Sequence, residues 1–210
     1  MQFTNCTIRN STVGIGLFLK DGGTMEQIKF SKIHIENYTP RGETNVEKSM
    51  FPVFVDIERR NLDSQVGHIR DVTLEEIAIQ SGYGALIQGM SESPIQNLTL
   101  NKIDFQVREP QDFAQRRKHI GGRRSLSNQR DTEFARLAGW LVVAHAKGLT
   151  VDGLRVTMSD EDFRRYPRSS LIAAGVDSPH IRNVTRKPQG AQNDPPAVSL
   201  QEVRPSPKRP

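Results

Sequence analysis

The chain has 210 residues, a formal charge of +5 and one cysteine, enough for one domain with a substantial core and too few thiols for a disulfide framework or a thiolate metal cluster. No apolar run approaches the ~18 residues of a membrane-spanning helix. The charge is uneven: five basic residues face two acidic ones in 186–210 and eight face four in 106–139, which leaves the remainder at a net −2.

The start, MQFTNCTIRN, has neither the basic n-region nor the apolar h-region of a secretory signal. It opens inside a repeat. Phe3, Cys6, Ile8, Ser11 and Val13 are spaced by steps of 3, 2, 3 and 2. The same ladder returns as Met25, Ile28, Phe30, Ile33, Ile35, as Ile69, Val72, Leu74, Ile77, Ile79, as Ile95, Leu98, Leu100, Ile103, Phe105, and as Ala146, Leu149, Val151, Leu154, Val156. A step of two is strand alternation; a step of three inserts one residue at which the chain bends. Each copy is followed by a second short apolar run, at 13–19, 53–57, 85–87, 141–143 and 171–174. One such unit cannot bury its apolar face alone, so copies must stack. The expected fold is all-β, a right-handed parallel β-helix over residues 1–185. A β-sandwich would need hairpin turns, and a leucine-rich repeat would need an Asn within the ladder and a helical return. A solenoid ordinarily ends in a polar or helical cap, and nothing before Phe3 serves, so the chain is expected to be an incomplete C-terminal part of a longer β-helix.

In chain order, VGIGLFLKDGG delivers Lys20 and Asp21 to an exposed glycine turn, and the polar stretch from Asn37 to Ser49 leaves the coil as a loop. Residues 106–139, with RRKHIGGRR, form a basic insertion, read as a solvated loop, a substrate-side loop or a nucleic-acid contact; the absence of interleaved aromatics argues against nucleic acid. Asp160, Glu161 and Asp162 read as part of a solvated loop, and 186–210 as a disordered Pro-rich basic tail. Cys6 is expected to be a small core residue. His34, His68, His119, His145 and His180 lack paired ligand spacing, so no metal is expected; no cofactor is expected either. The N-x-T triplets at Asn5, Asn10, Asn37, Asn97 and Asn183 read as turn asparagines followed by strand threonines.

GIGLFLKDGGTMEQIKFSKIHIEN, FPVFVDIERR, ALIQGMSESPIQNLTLNKI, WLVVAHAKGLTVDGLRV and RSSLIAAGVDSPHIRNV, in that order, resemble the C-terminal half of glycoside hydrolase family 28, the polygalacturonase-like pectin hydrolases, over roughly residues 3 to 185. The resemblance implies hydrolysis of O-glycosidic bonds in an acidic, pectin-like polysaccharide, with inversion by paired Asp residues, and a secreted or periplasmic full-length protein. The family places those Asp residues and a Gly-His-Gly turn upstream of an Arg-Ile-Lys strand, which here falls at residues 18 to 20. None of the seventeen residues before Phe18 is Asp or His, so no catalytic residue carries over. Phe18 replaces the family's Arg, and Lys20 alone matches the Lys that pairs a uronate carboxylate, as a point charge without the bidentate fork. Asp21, Asp56 and Glu58 are the nearby carboxylates; Asp56 and Glu58 share a strand face next to Arg59 and Arg60, which makes structural ion pairing the expected use of those two. Three functions follow: the C-terminal part of a polysaccharide hydrolase, active only with its upstream coils; a β-helix without chemistry that binds carbohydrate or serves as structure; and an anion or nucleic-acid binder using the insertion.

Overall fold

The computed structural model describes residues 1–37, 51–61, 63–110, 134, 137–190 and 192–203. Among them lie twelve strands and one short helix: β1 (Gln2–Thr4), β2 (Thr7–Arg9), β3 (Val13–Leu19), β4 (Thr24–Asn37), β5 (Phe51–Ile57), β6 (His68–Ser81), β7 (Ala85–Gln88), β8 (Ile95–Val107), β9 (Gly139–Thr157), α1 (Asp160–Arg165), β10 (Ser169–Asp177), β11 (His180–Lys187) and β12 (Val198–Gln201). All named strands pair in parallel within one curled sheet of order β1-β4-β6-β8-β9-β7-β5-β3, with β2, β10, β11 and β12 attached off this path.

The sheet comprises two stacks. In the first, β1 and β2 lie on β4, followed by β6, β8, the second half of β9 and β11. In the second, β3, β5, β7, the first half of β9, β10 and β12 follow one another. β9 belongs to both: Leu141–Ala144 pair with β7, while Ala146 to Thr157 pair with β8.

The spacing ladder sets the register. Ile28, Val72, Leu98 and Leu149 face one another in one interior row, and Ile33, Ile77, Ile103 and Leu154 in a second, which Val184 continues. These side chains join Ile15, Val53, Val55, Ile87 and Val143 of the second stack in the main core. The bend in each step of three is a left-handed residue. One such row is Asn5, Lys32, Glu76, Lys102, Gly153 and Asn183; another is Gln27, Asp71, Asn97, Gly148 and Ser178, with φ between 53° and 55° at the non-glycine positions. Asparagine enters this region more readily than other side chains with a Cβ, which accounts for Asn5, Asn97 and Asn183 as turn asparagines. Neighbours along the rows also bond: Asn97 Nδ2 donates to Asp71 Oδ1 at 2.8 Å, and Lys102 Nζ lies 3.2 Å from Glu76 Oε1.

A second apolar cluster covers the outside of the second stack, where Phe51, Phe54, Leu86, Val142 and Ile172 pack with Phe134, Leu137 and Val203. Phe134 and Leu137, at the end of the basic insertion, therefore close on this face. The RRKHIGGRR run itself lies outside the described residues, as do residues 38–49 of the expected loop.

Three sequence expectations need correction. Cys6 stands beside Ile33 in the interior row but is exposed, because β1 and β2 form an edge of the sheet with no strand over them. Asp160, Glu161 and Asp162 are the first turn of α1, N-capped by Ser159, whose Oγ accepts from the Asp162 N–H at 3.0 Å; carboxylates there favour the helix N-terminus. The segment expected to be a disordered tail from 186 contributes the last residues of β11 and all of β12, which extends β10 in register from Leu171↔Val198 to Ala174↔Gln201. Arg186 is buried in its midst: the guanidinium lies 4.4 Å over the Phe163 ring and Nη1 donates to the carbonyls of Arg168 at 3.0 Å and Pro195 at 2.7 Å. Those bonds hold a proline-rich segment that has no apolar periodicity of its own.

Candidate functional site

Strand β3 ends at Leu19 and delivers Lys20 to the tip of the second stack. Gly22 and Gly23, at φ of 81° and 85°, turn the chain away immediately afterwards, a conformation side chains with a Cβ rarely adopt. Register then fixes the neighbours: Phe18 faces Asp56, and Asp56 faces Gln88. Phe18 packs edge-on against Phe54, ring centroids 5.1 Å apart, so the position that carries Arg in the resembling family is given to hydrophobic contact. Asp56 is buried and its Oδ1 accepts from Gln88 Nε2 at 2.8 Å.

The charged groups around Lys20 are matched. Lys20 Nζ is ion-paired to Glu58 Oε1, a carboxylate only 4% exposed. Arg60 Nε donates to Asp21 Oδ1 at 3.0 Å and Oδ2 at 2.8 Å, with Arg60 Nη2 2.6 Å from Oδ2. The hydrogen bond from Arg60 holds the Asp21 carboxyl below its ordinary value, against an opposing effect of desolvation. Arg59 Nε lies 3.1 Å from Glu92 Oε1, and its Nη1 donates to the Ser64 carbonyl at 2.5 Å. The structural ion pairing expected for Glu58 is found, with Lys20 as the partner in place of Arg59 or Arg60, while Asp56 accepts from the Gln88 amide and Arg60 pairs with Asp21. A general acid needs its pKa raised toward the working pH, and Asp21 is shifted the other way.

The outer face of the first stack has a different character. Between the inward residues, two outward rows run across the strands: Thr7, His34, Ala78, Asp104, Arg155 and Thr185, and beside it Arg9, Glu36, Gln80, Gln106, Thr157 and Lys187. Two adjoining grooves of about 310 and 480 Å³ open here and share Ala78, Asp104 and Arg155 in their walls. The small Ala78 side chain leaves the floor low. Arg155 Nε donates to Asp104 Oδ1 at 3.3 Å, and Glu36 accepts contacts from His34 Nε2 at 3.0 Å and Arg9 Nε at 3.4 Å. The His34 hydrogen bond holds the Glu36 carboxyl below its ordinary value. The apolar ladder does not announce these rows; the polar residues between Ile33 and Ile35, or Ile103 and Phe105, are the sequence signal that marks them.

Among the described residues no group of His, Cys, Asp or Glu side chains is placed to hold a metal ion, and no helix is long and apolar enough to cross a membrane. In comparisons of sequence and of fold, no family model, no curated protein and no solved structure matches the chain.

Proposed function

We propose that the two stacks are coils of a right-handed parallel β-helix and that the chain is the C-terminal part of a pectin-type polysaccharide hydrolase, contributing substrate contact through Lys20 while catalysis belongs to upstream coils. The reading rests on the resemblance of the coil sequences to polygalacturonase-like hydrolases and on the in-register parallel ladder. The observation that carries the division of labour is the pairing at the tip: Glu58 with Lys20, Asp21 with Arg60, Glu92 with Arg59 and Asp56 with Gln88. Asp56 lies in β5 and Glu58 one residue beyond its end. They are buried and engaged, which favours structure over chemistry.

The test is a reducing-sugar assay of the purified 210-residue chain on polygalacturonate and rhamnogalacturonan, beside Asp56→Asn, Glu58→Gln and Lys20→Ala. No turnover is expected from any of the four proteins. Turnover abolished by Asp56→Asn would overturn the proposal in favour of a compact enzyme. The polar grooves on the first stack favour a second reading, a β-helix that binds carbohydrate without chemistry. A longer chain with the upstream coils separates the two, since only the hydrolase reading expects it to turn over substrate.

A further inference from the structure

We infer that the 210-residue chain associates with itself head to tail, the last rank of one copy seated on the first rank of the next. The surface is the open edge of β1, β2 and β3, and its occupant is β11 and β12 of a second copy. The inference does not rest on the hydrolase reading, and its test is independent of turnover. In a longer chain whose upstream coils lie on that edge, the edge is taken and no series forms.

The ranks end flush. β1 with β2, β4, β6, β8, β9 and β11 make six ranks of the first stack, and β3, β5, β7, β9, β10 and β12 make six of the second. All pair in parallel, so β11 and β12 close the described ranks together, as β1, β2 and β3 open them. Among the described residues no strand lies beyond either end, which leaves backbone N–H and C=O groups unpaired along each edge. Val203 turns onto the outer cluster of the second stack and does not cap the last rank.

The exposed apolar side chains gather at these same ends. Met1, Phe3, Phe18 and Leu200 are the exposed large ones among the described residues, and each belongs to the first or the last rank. Phe3 and Ile181 are the first and last members of one interior row. Leu17 and Leu200 are the first and last of another. The Phe3 ring stacks on Phe30 with centroids 4.9 Å apart and planes 8° apart, so its outer face is the one left open. A second copy advanced by the full set of ranks sets Ile181 on Phe3, Val184 on Cys6 and Leu200 on Leu17, with every strand still parallel. The left-handed row begins at Asn5 and ends at Asn183, so the backbone bend also carries across the joint.

Pairing of like ends fits less well. About a two-fold axis the strands would meet antiparallel and break the rows, and β11, with three basic residues and no acid, would face itself. Head-to-tail contact is heterologous, and repeated along the stack it gives an open series. One contact opposes it. Arg9 and Lys187 are the first and last members of one outward row, so the joint brings two like charges side by side.

Sedimentation velocity of the purified 210-residue chain across a wide range of concentration tests the inference. The sedimentation coefficient should climb continuously with concentration, as an open series requires. Leu200→Asp, which brings an unpaired charge into the joint from an exposed position, should weaken association by about tenfold or more. Lys187→Glu meets Arg9 of the next copy with the opposite charge and should strengthen association by about threefold or more, with thermal melts confirming both variants folded. A monomer at every concentration, a series that stops at the dimer, or unchanged association in Leu200→Asp would overturn the inference. Unchanged or weakened association in Lys187→Glu would also overturn it, because clustering through apolar ends without this register is blind to that charge.

Discussion

Lys32, Glu76 and Lys102 hold a left-handed backbone that costs an L side chain about 1 to 2 kcal/mol, and they hold it because the alternative would rotate Ile33, Ile77 and Ile103 out of the interior. Lys32 has no ion pair among the described residues, so Lys32→Gly isolates the backbone effect: it should raise stability by ~1 kcal/mol, whereas Lys32→Ile should lower it. Urea unfolding of the two variants checks the opposite signs. Leu98, 1% exposed between Val72 and Leu149, makes the complementary case. Leu98→Ala should cost about 2 to 5 kcal/mol through lost burial and the cavity left behind; a loss under about 1 kcal/mol would contradict its place in the core. Lys20 joins structure to function at the same scale. Removing it strands the buried Glu58 carboxylate, so Lys20→Ala should destabilise by ~2 kcal/mol, less than the ~3 to 5 of a wholly buried pair because Lys20 is 40% exposed. Adding Glu58→Gln should recover most of that loss in the same melts. Lys20 was legible in the sequence as a strand-end cation. Its partner was not, because Glu58 lies 38 positions later and only the Leu19↔Ile57 register brings the two together.

At the scale of elements, the long strands could be read from spacing alone, since β4, β6, β8 and the second half of β9 each repeat the 3, 2, 3, 2 ladder and the pairing follows it residue for residue. The short elements could not. β12 has four residues, and its Leu200 is 65% exposed, so no apolar pattern announces it; its place comes from the open backbone edge of β10 and from Arg186, which acts through carbonyl acceptors. Helix α1 is equally quiet, six residues with only Phe163 buried. These anchors predict that truncation after Lys187 harms the fold. Loss of the Pro195 acceptor leaves a buried guanidinium short of a partner and bares β10, a loss of ~2 kcal/mol that should lower the melting midpoint by about 4 to 8 °C. Differential scanning fluorimetry of the 1–187 chain decides it: an unchanged midpoint would mean that β12 contributes nothing to stability.

For the molecule as a whole, the outward faces carry the electrostatics. Asp21, Glu36, Glu75 and Asp152 are held below their ordinary values, chiefly by hydrogen bonds from Arg60, His34, Lys29 and Asn183 respectively. A depressed carboxyl adds stability that is present above its unfolded pKa, near 3.8 for Asp and 4.5 for Glu, and is lost as pH falls through the folded value. The midpoint should therefore be level above about pH 5 and fall below about pH 4, and replacing all four by Asn or Gln should shrink that fall. A variant with an undiminished acid decline would assign it to other groups. The single curled sheet also has a mechanical consequence. Because β9 is shared by both stacks, it acts as a common spine: under force applied at the two ends, strands on either side can peel away one rank at a time, but separating β9 must break two ladders together. Optical-trap extension should show small, regular rips from the outer ranks and a final, larger one when the spine lets go.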